Sequence, residues 1–336
     1  MIKEAISDLL NNKDLSFEKM QSVMEEILKG IATPAQISAF LVLLRKKGET
    51  SQEIYAAVDS LLKFAQKIKV DIKPIMDTCG TGGDSLGSFN ISTASAFVVS
   101  GAEITVAKHG NRAVSSLCGS ADLLENLGID INMDEEKIKY ALKNIGIAFL
   151  FAPNFHPAMK YALPVRQQLG IRTIFNLLGP LINPVNLTHQ LIGVYDRKWL
   201  RVIAEVLKLL GRVHAMVVCS EDGFDEISLG AKTYVCELKE GKIKEYSLNP
   251  KNFGFNLVPY DKFQGKDPSF NAKIFMEVLE GKRNIFRDIV LFNAGAAIYV
   301  ADRAKTIKEG IDLATYSIDS GSALKKLALL RELSKT

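Results

Sequence analysis

The sequence predicts an α/β protein with a small all-helical N-terminal domain and a larger α/β domain built on a mostly parallel central sheet. The first 70 residues carry repeated helix-start signals, and from about Ile72 short apolar runs alternate with helical segments. Residues 234–248 show a hairpin pattern that adds an antiparallel edge. A length of 336 residues suits about two domains, since domains average roughly 150 residues. We therefore predict a helical domain at residues 1–70 and an α/β domain at residues 71–336.

The composition indicates a globular protein and excludes several functional classes. Hydrophobic residues make up 47% of the chain and charged residues 24%, which excludes disordered and collagen-like proteins. The net charge of +4 is too small to require a nucleic acid or an anionic membrane as a partner. The 4 cysteines form no C-x-x-C pair, so we expect reduced cytosolic thiols and no zinc or dithiol site.

No segment is typical of export or of membrane insertion. Glu4 and Asp8 interrupt the apolar positions of the N-terminus, so a signal peptide is not expected. The longest stretch without formal charge, residues 173–195, contains Pro180, Pro184 and several asparagines, which disfavour a lipid-facing helix. We therefore expect a cytoplasmic protein with no membrane partner.

Capping signals and apolar spacing predict the helices of the first domain. Thr33 with Gln36 and Thr50 with Glu53 fit the capping box, in which each side chain bonds the backbone of the other residue. Gly48 is a typical helix terminator. Apolar residues recur at helical spacing after both boxes. The domain is therefore predicted to be helical, with little chemistry of its own.

Four short apolar runs predict buried strands of the sheet. They span residues 104–107, 147–151, 190–195 and 215–219. A predicted helix at residues 197–210, with Asp196 as its N-cap and Gly211 at its end, joins the last two strands into a βαβ unit. The chain is mostly helical again from Asn271 onward.

A glycine-rich segment, DTCGTGGD at residues 77–84, is the strongest chemical signal. Gly80, Gly82 and Gly83 let successive backbone N–H groups point inward, which makes a concave site for a diphosphate. The spacing matches neither the dinucleotide-binding nor the Walker motif. The segment thus predicts a phosphate site of another kind.

Polar residues then stand at the start of an apolar helix. Asn90, Ser92 and Thr93 lie where free N–H groups and the positive end of the helix dipole favour another phosphate. The alternative is a tight turn from strand to helix in which Ser92 or Thr93 is only an N-cap.

A second anion-binding wall is predicted at KHGNRAVSS, residues 108–116. The segment directly follows the predicted strand 104–107, and residues at the carboxyl ends of strands line the ligand crevice of an open α/β sheet. Ser120 is an equally good candidate for a helix cap and for a phosphate contact. A lone histidine such as His109 is more often structural than catalytic, and we assign it no proton transfer.

Two further segments predict a metal site and an aromatic-acid pocket. Asp225 and Glu226 follow the strand 215–219, and hard oxygen ligands beside a diphosphate suit Mg²⁺, although adjacent loop carboxylates are often only solvated. The guanidinium of Arg166 can bind a carboxylate with two parallel hydrogen bonds. The uncharged, proline-containing run 173–195 would supply the apolar wall of a pocket for an aromatic acid. The alternative for Arg166 is an ordinary salt bridge.

Together these motifs resemble those of the anthranilate phosphoribosyltransferases of tryptophan biosynthesis, and the resemblance extends across nearly the whole chain. The segments GTGGD, NIST, KHGNRAVSS, PVRQQLG, RTIFNLLGPLINP and the Asp-Glu pair occur in the order of that family. The resemblance implies transfer of the phosphoribosyl group of 5-phosphoribosyl 1-diphosphate to the amine of anthranilate, with release of diphosphate and without a covalent protein nucleophile. It also implies a homodimer formed through the helical domain, which takes in helices from about residues 165–185.

The resemblance also implies the site residues. Phosphoribosyl diphosphate is expected to contact Gly80, Gly82, Gly83, Asp84, Ser88, Asn90, Ile91, Ser92, Thr93, Lys108, Asn111, Arg112, Ala113, Val114, Ser115, Ser116 and Ser120. Anthranilate is expected to contact His109, Asn111, Arg166, Gly179 and Pro180. Ser92, Asp225 and Glu226 are expected to serve magnesium, with two ions accompanying the diphosphate.

Two alternatives remain at this point. A pyrimidine nucleoside phosphorylase has a related fold and also works at ribose C1, but GTGGD with KHGN and Arg166 favours the anthranilate enzyme. A non-catalytic relative that binds nucleic acid would need a broad basic surface, which the modest net charge of +4 does not favour.

Overall fold

The computed structural model describes residues 1–82, 87–113 and 117–336. It begins with four helices: α1 (Ile2–Leu10), α2 (Phe17–Leu28), α3 (Pro34–Lys47) and α4 (Ser51–Phe64). Both predicted capping boxes are present, at the starts of α3 and α4. The carboxylate of Glu53 in α4 is fully buried and accepts hydrogen bonds from Leu15 N at 2.9 Å and from Lys47 Nζ at 2.9 Å. Glu53 therefore joins α4 to α3 and to the loop after α1.

The sheet has seven strands in the order β3-β2-β1-β4-β5-β6-β7. Their bounds are β1 Ile75–Gly80, β2 Thr105–Gly110, β3 Ile147–Phe151, β4 His189–Gly193, β5 His214–Ser220, β6 Thr233–Lys239 and β7 Lys242–Leu248. The first five strands in sequence pair in parallel, and β6 and β7 pair antiparallel as the predicted hairpin. The prediction of a mostly parallel sheet beside a helical domain is confirmed.

Strand β1 is absent from the strands predicted above, although it lies between β2 and β4. Its sequence, IMDTCG, places Asp77 and Thr78 where an apolar run is expected. Both side chains are nevertheless buried, since partners elsewhere in the fold satisfy them.

Eleven further α-helices complete the described chain. They are α5 (Ile91–Gly101), α6 (Ser120–Asn126), α7 (Glu135–Tyr140), α8 (Ala152–Phe155), α9 (Leu163–Leu169), α10 (Phe175–Leu178), α11 (Trp199–Leu209), α12 (Pro268–Leu279), α13 (Ile285–Val300), α14 (Ile307–Asp319) and α15 (Ser322–Lys335). None of the helices in the described ranges is long and apolar enough to cross a membrane.

One capping prediction is wrong, and so are two capping roles given above as alternatives. The N-cap of α11 is Lys198, because Asp196 accepts a hydrogen bond from Lys198 N at 3.1 Å within a turn that precedes the helix. The N-cap of α6 is Gly119 and not Ser120, since the helix already includes Ser120. The N-cap of α5 is Asn90, so neither Ser92 nor Thr93 caps that helix.

Two hydrophobic clusters lie on the two faces of the sheet. One packs α5 and α13–α15 against the sheet. The other joins α1–α4 to residues 162–182, to α11 and to the opposite face of β4 and β5. The helical segment thus shares its core with the sheet, and the domain boundary at residue 70 stays a prediction.

A buried polar cluster fixes the antiparallel edge to the parallel strands. His214 at the start of β5 is fully buried, with Nδ1 at 2.9 Å from Asp302 Oδ1 and Nε2 at 2.8 Å from Glu237 Oε1. Tyr299 also donates to Glu237, at 2.7 Å. Burial acts to raise the pKa of Glu237, but the hydrogen bonds from His214 and Tyr299 outweigh it and the pKa is lowered.

We predict that Glu237→Gln reduces the free energy of unfolding at pH 7 by about 1–3 kcal/mol, because it removes a charge-assisted hydrogen bond. A lowered folded-state pKa contributes stability above the unfolded value of about 4.5, and this contribution is lost as the pH falls through the folded-state pKa. Denaturant titrations from pH 7 down to about pH 3 should therefore show a steeper acid loss for the wild type than for the variant. The exposed Glu240→Gln on the same hairpin is the control and should match the wild type. Parallel pH curves for wild type and Glu237→Gln would contradict the prediction.

Candidate active site

A cleft of about 730 Å³ lies where β1 and β2 end. Every predicted site residue within the described ranges lines this cleft. They are Gly80, Gly82, Ser88, Asn90, Ile91, Ser92, Thr93, Lys108, His109, Asn111, Arg112, Ala113, Ser120, Arg166, Gly179, Pro180, Asp225 and Glu226. The other predicted residues, Gly83, Asp84, Val114, Ser115 and Ser116, lie outside the described residues.

The glycine-rich segment and the Asp-Glu pair meet in this cleft. Gly82 N donates to Asp225 Oδ2 at 2.7 Å. A Cβ at Gly80 would overlap the carboxylate of Asp225, and one at Gly193, the last residue of β4, would overlap its backbone carbonyl. Glycine at the ends of β1 and β4 therefore permits the close approach of Asp225.

The loop that carries Asp225 is held by its own hydrogen bonds. Ser220 N donates to Phe224 O at 3.0 Å, and the Asp222 carboxylate accepts from the hydroxyls of Ser220 and Ser228. Asp225 is only 7% exposed. The loop thus presents a preorganised carboxylate to the cleft.

The oxygen atoms at this end of the cleft are suitable ligands for magnesium. Asp225 and Glu226 supply carboxylates and Ser92 supplies a hydroxyl, and such hard oxygens are the ligands that Mg²⁺ prefers. Within residues 1–82, 87–113 and 117–336, no group of three or more His, Cys, Asp or Glu side chains is placed to hold a metal ion. This arrangement suits an ion that completes its coordination with substrate phosphates and water.

The start of α5 forms another part of the same wall. Its N-cap, Asn90, makes no side-chain capping bond to the helix; Asn90 Nδ2 donates instead to Cys118 O at 3.1 Å. Asn90 Oδ1 accepts from Asn271 Nδ2 at 2.9 Å. The helix therefore presents its positive end to the cleft beside Ser92 and Thr93, without a side-chain cap from Asn90.

Lys108 brings a buried positive charge to the cleft. Its side chain is 4% exposed, and Nζ donates to Thr78 O at 2.6 Å. Because an ammonium has three N–H donors, two remain for a ligand. Arg112 is more exposed and forms ion pairs with Asp122 and Glu125 on α6, the shortest at 2.5 Å.

Arg166 and the segment around Gly179 form the other end of the cleft. The Arg166 guanidinium lies 5.2 Å from the centroid of the Phe175 ring, and burial lowers its pKa. In the described part of the chain Arg166 forms no ion pair, so the salt-bridge alternative is wrong there. The guanidinium is thus positioned for a carboxylate from outside the chain.

His109 is a hydrogen-bonded, neutral histidine. Burial, aided by the neighbouring His156, lowers its pKa to about 3. The ring is therefore neutral at neutral pH. Because the Gly179 oxygen can only accept, the single proton is assigned to Nδ1, which donates to that oxygen at 3.2 Å. Nε2 is shielded from solvent and pairs with none of the described groups. The structural interpretation of His109 agrees with these contacts.

Comparison with known proteins identifies the family. Two glycosyl transferase family models match the chain, a helical bundle domain at residues 3–65 and an a/b domain at residues 72–324. An anthranilate phosphoribosyltransferase of Marinomonas sp. is 50% identical over 336 residues, which cover 99% of this chain and 97% of that protein. The chain belongs to the anthranilate phosphoribosyltransferase family. As a member, it is a pentosyltransferase.

Solved structures of anthranilate phosphoribosyltransferases have the same fold. The enzyme from Thermus thermophilus superposes with a TM-score of 0.94 at 38% identity, covering 99% of both chains. The Saccharomyces cerevisiae enzyme in complex with PRPP and Mg superposes with a TM-score of 0.91 at 29% identity, covering 99% of this chain and 98% of that one. The same yeast enzyme in complex with 4-fluoroanthranilate gives a TM-score of 0.90 at 29% identity, with the same coverage.

Sequence reasoning missed the buried polar residues behind the cleft of this anthranilate phosphoribosyltransferase family member. They are Asp77, Asn183, Gln190 and Asn271, each 3% exposed or less. Asp77 is the first residue of the glycine-rich segment, and that position was a usable signal. Asn183 lies in the segment RTIFNLLGPLINP, but its partner Asp77 is 106 residues away. For Gln190 and Asn271 the sequence offers no signal, since their bonds to Arg212 and Asn90 span 22 and 181 residues.

We predict that Gly193→Ala impairs the site through Asp225. The added methyl overlaps the Asp225 carbonyl, so the loop at residues 222–226 must move and its carboxylates with it. Transfer assays should show kcat/KM for phosphoribosyl diphosphate reduced by about ten-fold or more and a higher Mg²⁺ concentration at half-maximal rate.

The control is Gly128→Ala, which strains a backbone with φ +81° away from the cleft. That variant should lose stability and keep its kinetic constants. Wild-type kinetics in a folded Gly193→Ala protein would contradict the role given to this close approach.

Proposed function

We propose that this cleft binds phosphoribosyl diphosphate at the glycine-rich end and anthranilate at the Arg166 end. The chain transfers the phosphoribosyl group to the anthranilate amine, which gives N-(5-phosphoribosyl)anthranilate and diphosphate for tryptophan biosynthesis. One observation carries the proposal. A single cleft has a phosphate-binding end, formed by glycines, a helix start and Lys108, and an opposite end with the half-buried Arg166, which has no ion pair in the described chain. The two charged substrates need two such ends.

The phosphate-binding end is assigned by its donors. Backbone N–H groups of the glycine-rich segment and of the α5 start, with Lys108 and Ser120, are expected to bind the phosphate oxygens. Ser88, Asn90, Ile91, Asn111, Arg112 and Ala113 line the same part of the cleft. Gly83, Asp84 and residues 114–116 are assigned here on the family resemblance alone.

Magnesium would be held by Asp225, Glu226 and Ser92. When bound, it neutralises charge on the diphosphate leaving group. We propose two ions, because a diphosphate and two carboxylates together offer enough oxygen ligands for two incomplete coordination shells. The yeast enzyme binds Mg together with PRPP.

The aromatic end is assigned by its charge and shape. The Arg166 fork matches a carboxylate, and Asn111, His109, Gly179 and Pro180 form the surrounding wall. The anthranilate amine is neutral at pH 7, so it attacks ribose C1 without prior deprotonation. No covalent nucleophile is required, and the residues act by orienting the substrates and excluding water.

The larger organisation is also proposed on the family resemblance. We propose a homodimer formed through the helical domain and action in the cytoplasm. The helical domain of this proposal contains residues 1–70 and takes in helices from about residues 165–185, whose apolar side chains share a core with α1–α4.

The decisive experiment is an assay of anthranilate fluorescence with phosphoribosyl diphosphate and Mg²⁺. Anthranilate should be consumed only when all three components are present. A folded protein that fails to consume anthranilate but cleaves a pyrimidine nucleoside with phosphate would contradict the proposal in favour of the nucleoside phosphorylase alternative.

We predict that Arg166→Ala raises KM for anthranilate about 10- to 100-fold and changes KM for phosphoribosyl diphosphate little, because a charge-assisted bidentate contact is lost at one end only. Steady-state kinetics with each substrate varied will measure both constants. Arg201→Ala removes an exposed arginine that pairs with Glu245 and should leave both unchanged. A rise confined to phosphoribosyl diphosphate would show that the two ends are assigned wrongly.

We predict that Asp225→Asn combined with Glu226→Gln weakens the response to magnesium, because neutral amides bind the ion less tightly than carboxylates do. Rates measured across a Mg²⁺ titration should show the half-maximal concentration raised about ten-fold or more. The exposed Glu221→Gln, on the same loop, is the matched control. An unaltered magnesium response in the double variant would exclude a metal role for the pair.

A further inference from the structure

Gln190 lies behind the anthranilate wall and has no part in the site as assigned above. It is fully buried on β4 and does not line the cleft. We infer that Gln190 is a positioning residue, which fixes the Pro180 carbonyl and thereby sets the depth of the pocket for the aromatic acid. This inference rests on the proposed function, because it takes Pro180 as a wall of that pocket.

The hydrogen bonds of Gln190 fix the orientation of its amide. Oε1 accepts from Arg212 Nε at 3.2 Å, and a guanidinium can only donate. Nε2 donates to Pro180 O at 2.5 Å and has a longer contact of 3.7 Å with Cys79 Sγ. Rotation of the amide would place oxygen against the Pro180 oxygen and nitrogen against a cation. Gln190 is therefore held in one orientation by partners on both sides.

Arg212 is itself held firmly, so it can serve as the fixed end of this link. It is 7% exposed, and Nη1 donates to Leu187 O at 2.9 Å. Burial lowers the pKa of Arg212 to about 10, which leaves it charged at neutral pH. A chain of hydrogen bonds thus leads from Arg212, which is bonded to the backbone at Leu187, through Gln190 to Pro180 in the cleft.

Other hydrogen bonds hold the residues on either side of Pro180, and the Pro180 carbonyl itself is held by Gln190. The short 3₁₀ turn Gly179–Leu181 contains Pro180. His109 Nδ1 donates to the Gly179 oxygen at 3.2 Å, and Asn183 Nδ2 donates to Asp77 at 3.0 Å. Three successive anchors from β2, β4 and β1 therefore hold the wall against the sheet.

The two ends of the cleft respond differently if this link is broken. Pro180 lies at the aromatic end, whereas the glycine-rich segment and Lys108 have anchors of their own. Loss of the Gln190–Pro180 bond should therefore change KM for anthranilate far more than KM for phosphoribosyl diphosphate. A purely structural role for Gln190 would not produce this split.

The test is Gln190→Glu, with Gln190→Met as a second variant. A glutamate keeps an oxygen for Arg212, and adds charge to that pair, but it turns an oxygen toward the Pro180 oxygen. Methionine has a similar volume and removes both hydrogen bonds. His189→Gln is the matched control, since His189 is the neighbouring buried polar residue of β4, faces away from the cleft and bonds Thr188 and Asp302.

We expect Gln190→Glu to raise KM for anthranilate about ten-fold, with KM for phosphoribosyl diphosphate within about two-fold of wild type. Its melting temperature should fall, because a buried hydrogen bond is replaced by a contact between two oxygens. Gln190→Met should show the same split with a lower melting temperature. His189→Gln should show no split. If Gln190→Glu does not fold, the kinetics of Gln190→Met decide the question.

Three results would overturn the inference: an unchanged KM for anthranilate, an equal rise in both KM values, or the same split in His189→Gln. Absence of turnover in the wild type is a different outcome, because it would overturn the proposed function itself.

Discussion

The fold and the cleft both depend on one buried carboxylate, that of Asp77 in the middle of the five parallel strands. It accepts hydrogen bonds from His109 N at 3.4 Å and from Asn183 Nδ2 at 3.0 Å, and it lies in the field of Lys108. Burial raises its pKa, against the charge of Lys108 and these hydrogen bonds. Without such partners, a buried carboxylate would destabilise the folded state. Strand β1 therefore depends on the KHGN segment and on the segment around Asn183 for the groups that bond Asp77.

The cleft combines residues from separate elements, each held in place before a ligand arrives. Asp225 reaches the glycine-rich segment because Gly80 and Gly193 lack side chains. The His109 ring supports the wall and remains neutral. Lys108 keeps spare N–H donors at the cleft, because its hydrogen bond to the Thr78 oxygen uses only one of three.

Local patterns predicted much of this structure, and their limits have a physical cause. Capping boxes and the hairpin were recoverable because their hydrogen bonds join neighbours in sequence. Strand β1 was missed because Asp77 makes the segment look like a loop, and its partner Asn183 is 106 residues away. Ser120 was a plausible N-cap by composition, but Gly119 takes that position. The lining residues were predicted from motif chemistry together with the family resemblance, whereas Gln190 was not, since it does not line the cleft.

Arg166 affects the stability of the protein when no ligand is bound. In the described part of the chain it is a half-buried cation without an acidic partner, and the loss of hydration of such a charge opposes folding. A bound carboxylate supplies the missing counter-charge, so the folded state gains free energy as the ligand concentration rises above its dissociation constant. The rise in melting temperature when an aromatic acid is added thus reports how strongly its carboxylate binds Arg166.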